Sequence, residues 1–243
     1  TLKLAARKLV DFTGPLGWEA SAVNLGRVAR LEKAPADGVE ARLRKVQPLV
    51  ELRIPFELQR EELEAAGRGA ADAVLDPVRE AAGTAAIAED RAVFNGFAGA
   101  GIRGIVEEAA SSKLTLSDDY QAYPGVVADA INGLLKAGVE GPYGIALGPR
   151  CYTGLTKTTH GGYPVMEHVR RLLDGPIVWA PAVDGAVVLS LRGGDFELTV
   201  GQDFSIGYLV HTASSVRLYL QESFTFRVLS AEAAVPLAYA RKG

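Results

Sequence analysis

Three histidines and one cysteine are the residues best suited to carry chemistry in this sequence. The histidines are His160, His168 and His211, and the cysteine is Cys151. His160 and His168 are eight positions apart, which does not place both on one helical face, and no Cys-x-x-Cys or His-Glu-x-x-His motif supplies a zinc site. Cys151 and His160 fit a nucleophile–base pair, but a buried thiol beside a loop histidine is the interpretation that we favour.

Two further patterns resemble functional motifs only in part. Residues 99–104 match G-x-G-x-x-G, but a dinucleotide-binding turn must follow a strand, and here a helix precedes it. We therefore expect a glycine-rich helix end. Glu80, Glu89 and Asp90 could be paired acids on one helix, although a solvated helix face or an ion pair between subunits is the favoured interpretation. No catalytic set emerges, so the sequence predicts a protein that is not an enzyme.

The elements that would position these residues alternate irregularly between helix and strand. Asp76 and Pro77 are typical of a helix start, with aspartate as the N-cap. Glycines in the segment 192–195 predict a hairpin turn. The coarse class is α+β with long antiparallel ribbons. Hydrophobic periodicity predicts helices over 59–66, 76–94, 123–136 and 163–173, and strands over 143–147, 177–180, 186–191, 196–200, 202–208 and 216–228.

The segment 28–58 is expected to form two extended arms. In its second arm Val50, Leu52, Ile54 and Phe56 alternate with polar residues, which predicts a strand with one apolar face. Because no helix of its own is expected to cover this ribbon, a second copy of the chain is one candidate cover. Packing on its own sheet is the other, and the pattern alone leaves both open.

Composition and net charge further limit the classes of function that fit this sequence. The chain has 243 residues, which is ample for a buried core, and its formal net charge is −3. An acidic balance disfavours binding to a phosphate backbone. A single cysteine excludes an intramolecular disulfide and fits a reducing cytosol. No apolar run approaches the roughly 18 residues that span a bilayer, and no signal peptide is visible.

Several ordered blocks of the sequence resemble encapsulin shell proteins. They occur in family order over nearly the whole chain, which is far more specific than any one of them. The blocks are 7–12 (RKLVDF), 14–19 (GPLGWE), 47–56 (QPLVELRIPF), 141–143 (GPY), 160–164 (HGGYP), 192–196 (RGGDF), 201–208 (GQDFSIGY), 216–218 (VRL) and 222–226 (ESFTF).

The resemblance implies the major-capsid fold of tailed phages, the Hong Kong 97-like fold. Its peripheral domain would comprise residues 1–26, 59–107 and 196–243, its extended loop 27–58, and its axial domain 108–195. The extended loop implies contacts between copies through Val50, Leu52, Ile54 and Phe56. Copies would close into an icosahedral shell of about 60 subunits, or a larger one. The shell would be cytoplasmic in a bacterium and would enclose a peroxidase or a ferritin-like protein that carries a C-terminal targeting peptide.

The same resemblance implies two sets of site residues. Arg7, Asp11, Asp203 and Tyr208 match the wall that binds the cargo peptide, where charged groups would fix the peptide backbone. An alternative is that Arg7 and Asp11 pair with each other on a surface helix.

The loop 155–162 matches the family's fivefold pore. Lys157, Thr158, Thr159 and His160 would line the channel, where a ring of His160 could change charge near neutral pH. The alternative is an exposed axial loop without selectivity.

Two departures from the family pattern shape the remaining expectations. Flavin-binding members carry a tryptophan where this sequence has Glu61, so no flavin, metal or other cofactor is expected. The family's additional N-terminal helix, which helps to build the cargo pocket, is not seen in this sequence. The first functional hypothesis is a structural shell protein that gates small molecules through pores. The alternatives are a viral or prophage major capsid protein that packages DNA and, with least support, a hydrolase.

Overall fold

The computed structural model describes residues 4–110 and 113–240, which fold into helices, two sheets and a projecting ribbon. The helices are α1 (Arg60–Gly67), α2 (Asp76–Asn95), α3 (Ile105–Glu108), α4 (Tyr123–Lys136), α5 (Pro149–Lys157) and α6 (Val165–Arg170). The strands are β1 (Asp11–Thr13), β2 (Ala22–Arg30), β3 (Arg42–Pro48), β4 (Val50–Gln59), β5 (Leu114–Leu116), β6 (Tyr143–Leu147), β7 (Thr159–His160), β8 (Tyr163–Pro164), β9 (Ile177–Trp179), β10 (Ala186–Ser190), β11 (Phe196–Val200), β12 (Ser205–His211), β13 (Ser215–Val228) and β14 (Ala234–Tyr239).

The helices follow the hydrophobic periodicity with two corrections. Helix α4 has the predicted bounds because its apolar stripe is buried along its length. Asp76 is the first residue of α2 rather than its N-cap, and its carboxylate accepts from Arg79 at 2.6 Å. The helix predicted over 163–173 covers only Val165–Arg170, since the two residues before it pair as strand β8.

A five-stranded sheet forms one half of the body. Its strand order is β1-β11-β13-β12, and β4 pairs with β13 as well. The 14-residue strand β13 is the axis of this sheet, because β4 and β12 pair with its first half and β11 pairs with its end. Strand β12 is shifted from the predicted 202–208 to Ser205–His211.

A second five-stranded sheet has the order β5-β14-β10-β6-β9. Every residue of β6 and β10 is buried, as expected of central strands. Strand β14 also belongs to this sheet, and its residues lie in the segment 196–243 that is expected in the peripheral domain. The predicted domains also include residues 1–3, 111–112 and 241–243, which lie outside the described residues.

The turn at residues 192–195 connects the two sheets, so the predicted hairpin is wrong. Strand β10 before it pairs with β6 and β14, while β11 after it pairs with β1 and β13. Gly193 and Gly194 have φ values of +82° and +80°, which only glycine adopts at little cost. Arg192 closes the turn by donating to both carboxylate oxygens of Asp195, each at 2.9 Å.

Strands β2 and β3 form a separate two-stranded ribbon, which we call the β2–β3 ribbon. None of its strand residues is buried. Its apolar side chains Val28, Leu43 and Val46 are 50%, 60% and 52% exposed. The ribbon therefore spans 22–48, whereas the expected ribbon included the following arm to residue 58.

That following arm is β4, and its apolar face is covered within the subunit. Val50 and Leu52 pack against the main core, while Ile54 borders a smaller cluster. Phe56 is buried in that cluster, which also contains Ala81 and Ala85 of α2. The expectation that no helix covers this face is therefore wrong for Ile54 and Phe56, while Val50 and Leu52 pack on the main core of the same subunit. This correction leaves the β2–β3 ribbon as the uncovered extended element.

One hydrophobic core joins the two sheets. It includes Phe224 and Phe226 from the first sheet and Ile145 and Leu189 from the second, all nearly or fully buried. No helix among the described residues is long and apolar enough to cross a membrane.

Candidate functional site

Arg7 is the centre of a charged cluster between the N-terminal segment, α2 and β13. Its Nε donates to both carboxylate oxygens of Glu89, at 3.0 and 2.9 Å, and its Nη2 donates to Glu89 Oε2 at 2.5 Å. Nη1 donates to Asp203 at 3.0 Å, and Nη2 to Glu222 at 3.2 Å. We call these four residues the Arg7 cluster. Arg7 does not pair with Asp11 on a surface helix, so that interpretation is wrong.

The cluster has more carboxylates than cations, and two of them are fully buried. Glu89 and Glu222 each have no exposed side-chain surface. Burial raises the pKa of Glu222, and the nearby charge of Glu89 raises it further. Glu222 therefore keeps its proton well above the pH at which an ordinary glutamate loses it. The expectation that Glu89 and Asp90 lie on a solvated helix face is wrong, because α2 carries both side chains into the interior.

Other carboxylates fix the backbone of the N-terminal segment. Asp90 accepts the N–H groups of Ala5 and Ala6 at 3.1 and 2.8 Å. Asp11, at the start of β1, accepts the N–H of Gly194 at 2.6 Å. The segment is thus tied to α2 through Asp90, to the inter-sheet turn through Asp11, and to the cluster through Arg7.

The contribution of Asp90 to the free energy of unfolding is expected to fall as the pH rises from about 4 to about 6. Burial raises the pKa of this carboxyl from 3.8 to about 6, although the N–H groups of Ala6 and Ala5 oppose the change. In this window the folded chain holds a proton that the unfolded chain has released. The resulting stability, about 3 kcal/mol, is full below about pH 4 and is lost as the pH rises through about 6.

Urea unfolding at several pH values tests this contribution by comparing the wild type with two variants. Asp90→Asn removes the titrating group, whereas Glu80→Gln removes an exposed carboxylate from the same helix. The advantage of wild type over Asp90→Asn should shrink by about 3 kcal/mol between about pH 4 and 7. Glu80→Gln should follow the wild type throughout. A wild-type advantage that is independent of pH would contradict the raised pKa.

An exposed apolar surface lies beside the Arg7 cluster. Phe12 and Phe204 flank the guanidinium, with ring centroids 5.0 and 5.2 Å from its Cζ. Phe204 leads into β12, whose own apolar side chains are about half exposed. We call the exposed set the β12 strip, and its members are Phe12, Ile206, Tyr208, Leu209 and Val210. Tyr208 also bonds to His211, with Oη 2.5 Å from Nδ1. Charged and apolar groups are thus presented side by side.

The four residues expected to line the pore lie in the first strand of a short hairpin, β7–β8, and in the two positions before it. Lys157 is the last residue of α5, Thr158 follows it, and Thr159 and His160 form β7. Lys157, Thr159 and His160 are exposed, and Thr158 is partly buried. The predicted loop began at residue 155, but Leu155 is buried within α5.

The thiol of Cys151 is a structural group. It is buried, and its Sγ lies 3.3 Å from the hydroxyl of Tyr123 and 3.2 Å from that of Tyr239. Burial raises its pKa, which opposes formation of a nucleophilic thiolate. His160 contacts the ring of His168 instead. This arrangement supports the buried thiol of that interpretation, but the recorded neighbours of the thiol are two tyrosines rather than a loop histidine.

The glycine-rich segment 99–104 connects α2 to α3, so the expected helix end lies just before it, at Gly96, rather than within it. Gly96 ends α2 with φ +88°, and a Cβ on Gly104 would lie 2.2 Å from the Gly96 nitrogen. Close backbone approach explains these glycines without a dinucleotide. Among residues 4–110 and 113–240, no group of three or more His, Cys, Asp or Glu side chains is placed to hold a metal ion.

Sequence reasoning missed Glu222 and did not anticipate the burial of Glu89, although the periodicity contains a signal for both. Glu89 lies four residues after Ala85 and four before Val93, on the buried face of α2. Glu222 occupies an inward position of β13 between Leu220 and Phe224. A carboxylate at a position that the pattern assigns to the core requires a buried partner.

The structure has the Hong Kong 97-like fold of phage capsids, as comparison with solved structures shows. The structure is similar to a virus-like particle from Pyrococcus furiosus, with a TM-score of 0.65 and 20% identity, covering 94% of this chain and 89% of that one. It is also similar to the capsid of Myoviridae phage XM1, with a TM-score of 0.58 and 12% identity, covering 97% and 91% of the two chains.

Sequence comparison gives the family. The model described as "Encapsulating protein for peroxidase" matches residues 1–225. A type 1 encapsulin shell protein of Rhodospirillum rubrum is 60% identical over 243 residues, covering 98% of this chain and 87% of the relative. Another, from Mycolicibacterium paratuberculosis, is 50% identical and covers 96% of this chain and 88% of its own length. The chain belongs to the encapsulin shell protein family.

Proposed function

We propose that this protein assembles with its own copies into a closed icosahedral shell that encloses a cargo enzyme. The family match over residues 1–225 is the observation that carries the proposal. The uncovered β2–β3 ribbon supports it, because an extended two-stranded element needs a partner surface. One subunit per asymmetric unit gives about 60 copies. The first sheet with α1 and α2 forms the proposed peripheral domain, and the second sheet with α4 to α6 forms the axial domain.

Light scattering and negative-stain imaging of the purified chain test the assembly. We expect uniform hollow particles with a mass of about 60 subunits. A monodisperse species at the subunit mass of 25.7 kDa would contradict the proposal. An alternative function, packaging of DNA as in the phage capsids that share the fold, predicts nuclease-protected DNA inside the particles. The net charge of −3 favours an empty or protein-filled shell.

The proposed cargo site combines the Arg7 cluster with the β12 strip. Asp203 and Asp11 present carboxylates beside exposed apolar side chains, and Tyr208 is 56% exposed. Such a surface suits an extended peptide, whose side chains pack on the apolar strip while polar groups hold its backbone. Arg7 is already engaged with three carboxylates, so we assign it a positioning role. The bound peptide would belong to the C-terminus of a peroxidase or a ferritin-like protein.

Replacing Ile206 with aspartate should abolish cargo loading without preventing assembly. The side chain is 56% exposed on the β12 strip, so the change costs little folding stability but places a charge where the peptide packs. The probe is a fluorescent reporter fused to the C-terminal segment of a peroxidase from the same genome, co-expressed with the shell. Fluorescence that co-elutes with particles should fall by more than about tenfold.

Leu229→Asp is the matched control for that experiment. Leu229 is 53% exposed and follows β13, outside the β12 strip. This variant should load the reporter as the wild type does. Equal loading by wild type and Ile206→Asp would place the cargo site elsewhere.

The hairpin that contains Thr159 and His160 is proposed to line a pore at the fivefold axis. Its exposed polar side chains, together with Lys157, would filter small solutes. An axial loop without selectivity is the competing assignment. Comparing the entry of a cationic and an anionic dye of equal size distinguishes the two, since only a selective pore discriminates between them.

A further inference from the structure

We propose that His160 and His168 together bind a divalent transition-metal cation of the kind that prefers imidazole, such as Cu²⁺, Zn²⁺ or Ni²⁺. The two rings are neighbours in the folded chain, with centroids 6.1 Å apart and planes at 84°. Their separation of eight positions in the sequence does not by itself predict such a pair. The fold brings them together in a way that helical spacing does not anticipate.

The local chain path explains this proximity. Gly161 and Gly162, with φ values of +58° and +84°, reverse the chain so that His160 pairs with Tyr163 across the hairpin. Helix α6 begins at Val165, whose N–H donates to the carbonyl of Thr158 at 2.9 Å. This bond ties the start of the helix to the residue before β7, and His168 on the helix lies next to the His160 ring.

His168 is held in place and has an unused ring nitrogen. The Tyr163 ring meets it edge-on, with centroids 6.5 Å apart. Its Nε2 is buried and has no hydrogen-bond partner in the described part of the chain. A buried ring nitrogen without a partner is costly, and coordination of a metal through a lone pair on that nitrogen removes the cost. Neutral imidazole nitrogen is a common ligand for copper, zinc and nickel.

The distance between the rings is close to that of a coordinated pair. Metal–nitrogen bonds of about 2.1 Å place the centroids of two imidazoles on one tetrahedral ion about 5 Å apart. The observed 6.1 Å exceeds this by about 1 Å. His160 is exposed at the end of β7, so rotation of its side chain closes the difference without moving the backbone.

The two histidines supply only part of a coordination sphere. Since no third His, Cys, Asp or Glu joins the pair within the described residues, water completes the coordination sphere. Of the nearby charges, Arg170 is paired with Glu167 at 3.3 Å, and Lys157 is exposed, so water and salt screen it. A bound ion would tie the hairpin to α6. Any effect of the bound ion on the passage of solutes depends on the proposed position of the hairpin at a pore. Metal binding itself does not depend on that position.

Titration of the purified chain with Cu²⁺ alone, followed by electron paramagnetic resonance, tests the site. The chain has three histidines, so each is tested singly with His160→Gln, His168→Gln and His211→Gln. We expect one Cu²⁺ per subunit with couplings from two nitrogens. The first two variants should each weaken binding by more than about tenfold and leave at most one nitrogen coupling. His211→Gln, on β12, should bind as the wild type does.

Several outcomes separate a failed metal site from a failed shell. A single nitrogen coupling in wild type, or unchanged binding in either His160→Gln or His168→Gln, would overturn the proposal. His160 is exposed, so its variant gives a clear result even if the partly buried His168 is needed for folding. Light scattering of the same samples reports assembly. Two-nitrogen binding by a chain that does not assemble would support the metal site while refuting the shell.

Discussion

Replacing Arg7 with alanine is expected to lower the free energy of unfolding by about 3–5 kcal/mol, a large fraction of the stability of a typical domain. The substitution leaves Glu89 and Glu222 in the interior without a guanidinium, and both side chains have no exposed surface. It also removes the cation that lies between the rings of Phe12 and Phe204. Urea unfolding followed by tryptophan fluorescence measures the loss.

Three companion variants identify the cause of that loss. Arg7→Lys keeps the charge but cannot reproduce the forked contact with Glu89, so we expect a smaller loss. Adding Glu89→Gln to Arg7→Ala removes the buried carboxylate that the guanidinium had paired with and should restore part of the stability. Arg68→Ala removes an exposed pair with Glu64 and should cost at most about 1 kcal/mol. An Arg7→Ala chain as stable as Arg68→Ala would contradict a structural role for the cluster.

Elements whose signal is local were predicted well from the sequence. Helix α4 and strands β6 and β11 have the predicted bounds, because the periodicity of each is complete within its own residues. The turn at 192–195 shows where such reasoning stops. Two glycines permit the reversal, but the same backbone suits a hairpin and a crossing between sheets. Which of the two forms depends on the partners of β10 and β11. Those partners are β6, β13 and β14, which are distant from the turn in sequence.

The candidate sites were predicted in part for the same reason. Arg7 and Asp203 were grouped through the family resemblance, and the structure pairs them at 3.0 Å. Their buried partner Glu89 lies 82 positions from Arg7, and no local pattern links the two. For the β4 arm, alternation revealed the apolar face correctly. The covering helix α2 is a tertiary feature, so the pattern left the identity of the cover open.

The β2–β3 ribbon now carries the proposed contact between copies. Leu43 pairs with Ala29 across the ribbon, and Val28 pairs with Arg44 on the opposite face, so each face carries an exposed apolar side chain. The ribbon is attached to the body near its base, where Gln47 donates to the carbonyl of Gly101 at 2.9 Å. Its outer part therefore extends beyond the body's core, as a surface for a neighbouring subunit requires.

Replacing Leu43 with aspartate is expected to abolish particle formation while leaving the subunit folded. The side chain is 60% exposed, so the change alters the free energy of unfolding by about 0.5 kcal/mol or less. In a closed shell the same substitution recurs in every subunit. A loss of about 1 kcal/mol per contact therefore accumulates to about 60 kcal/mol over about 60 copies. Assembly should respond to this change far more steeply than folding.

Light scattering and negative-stain imaging of Leu43→Asp, with Leu43→Met as its matched control, measure this expected loss. Leu43→Met retains an apolar side chain of similar volume and should form particles of wild-type size. Circular dichroism establishes that both variants are folded. If Leu43→Asp still forms the same particles, the ribbon is not the contact between copies, and the shell must close through the body of the subunit. If it unfolds instead, the exposed position of Leu43 in the isolated subunit is wrong.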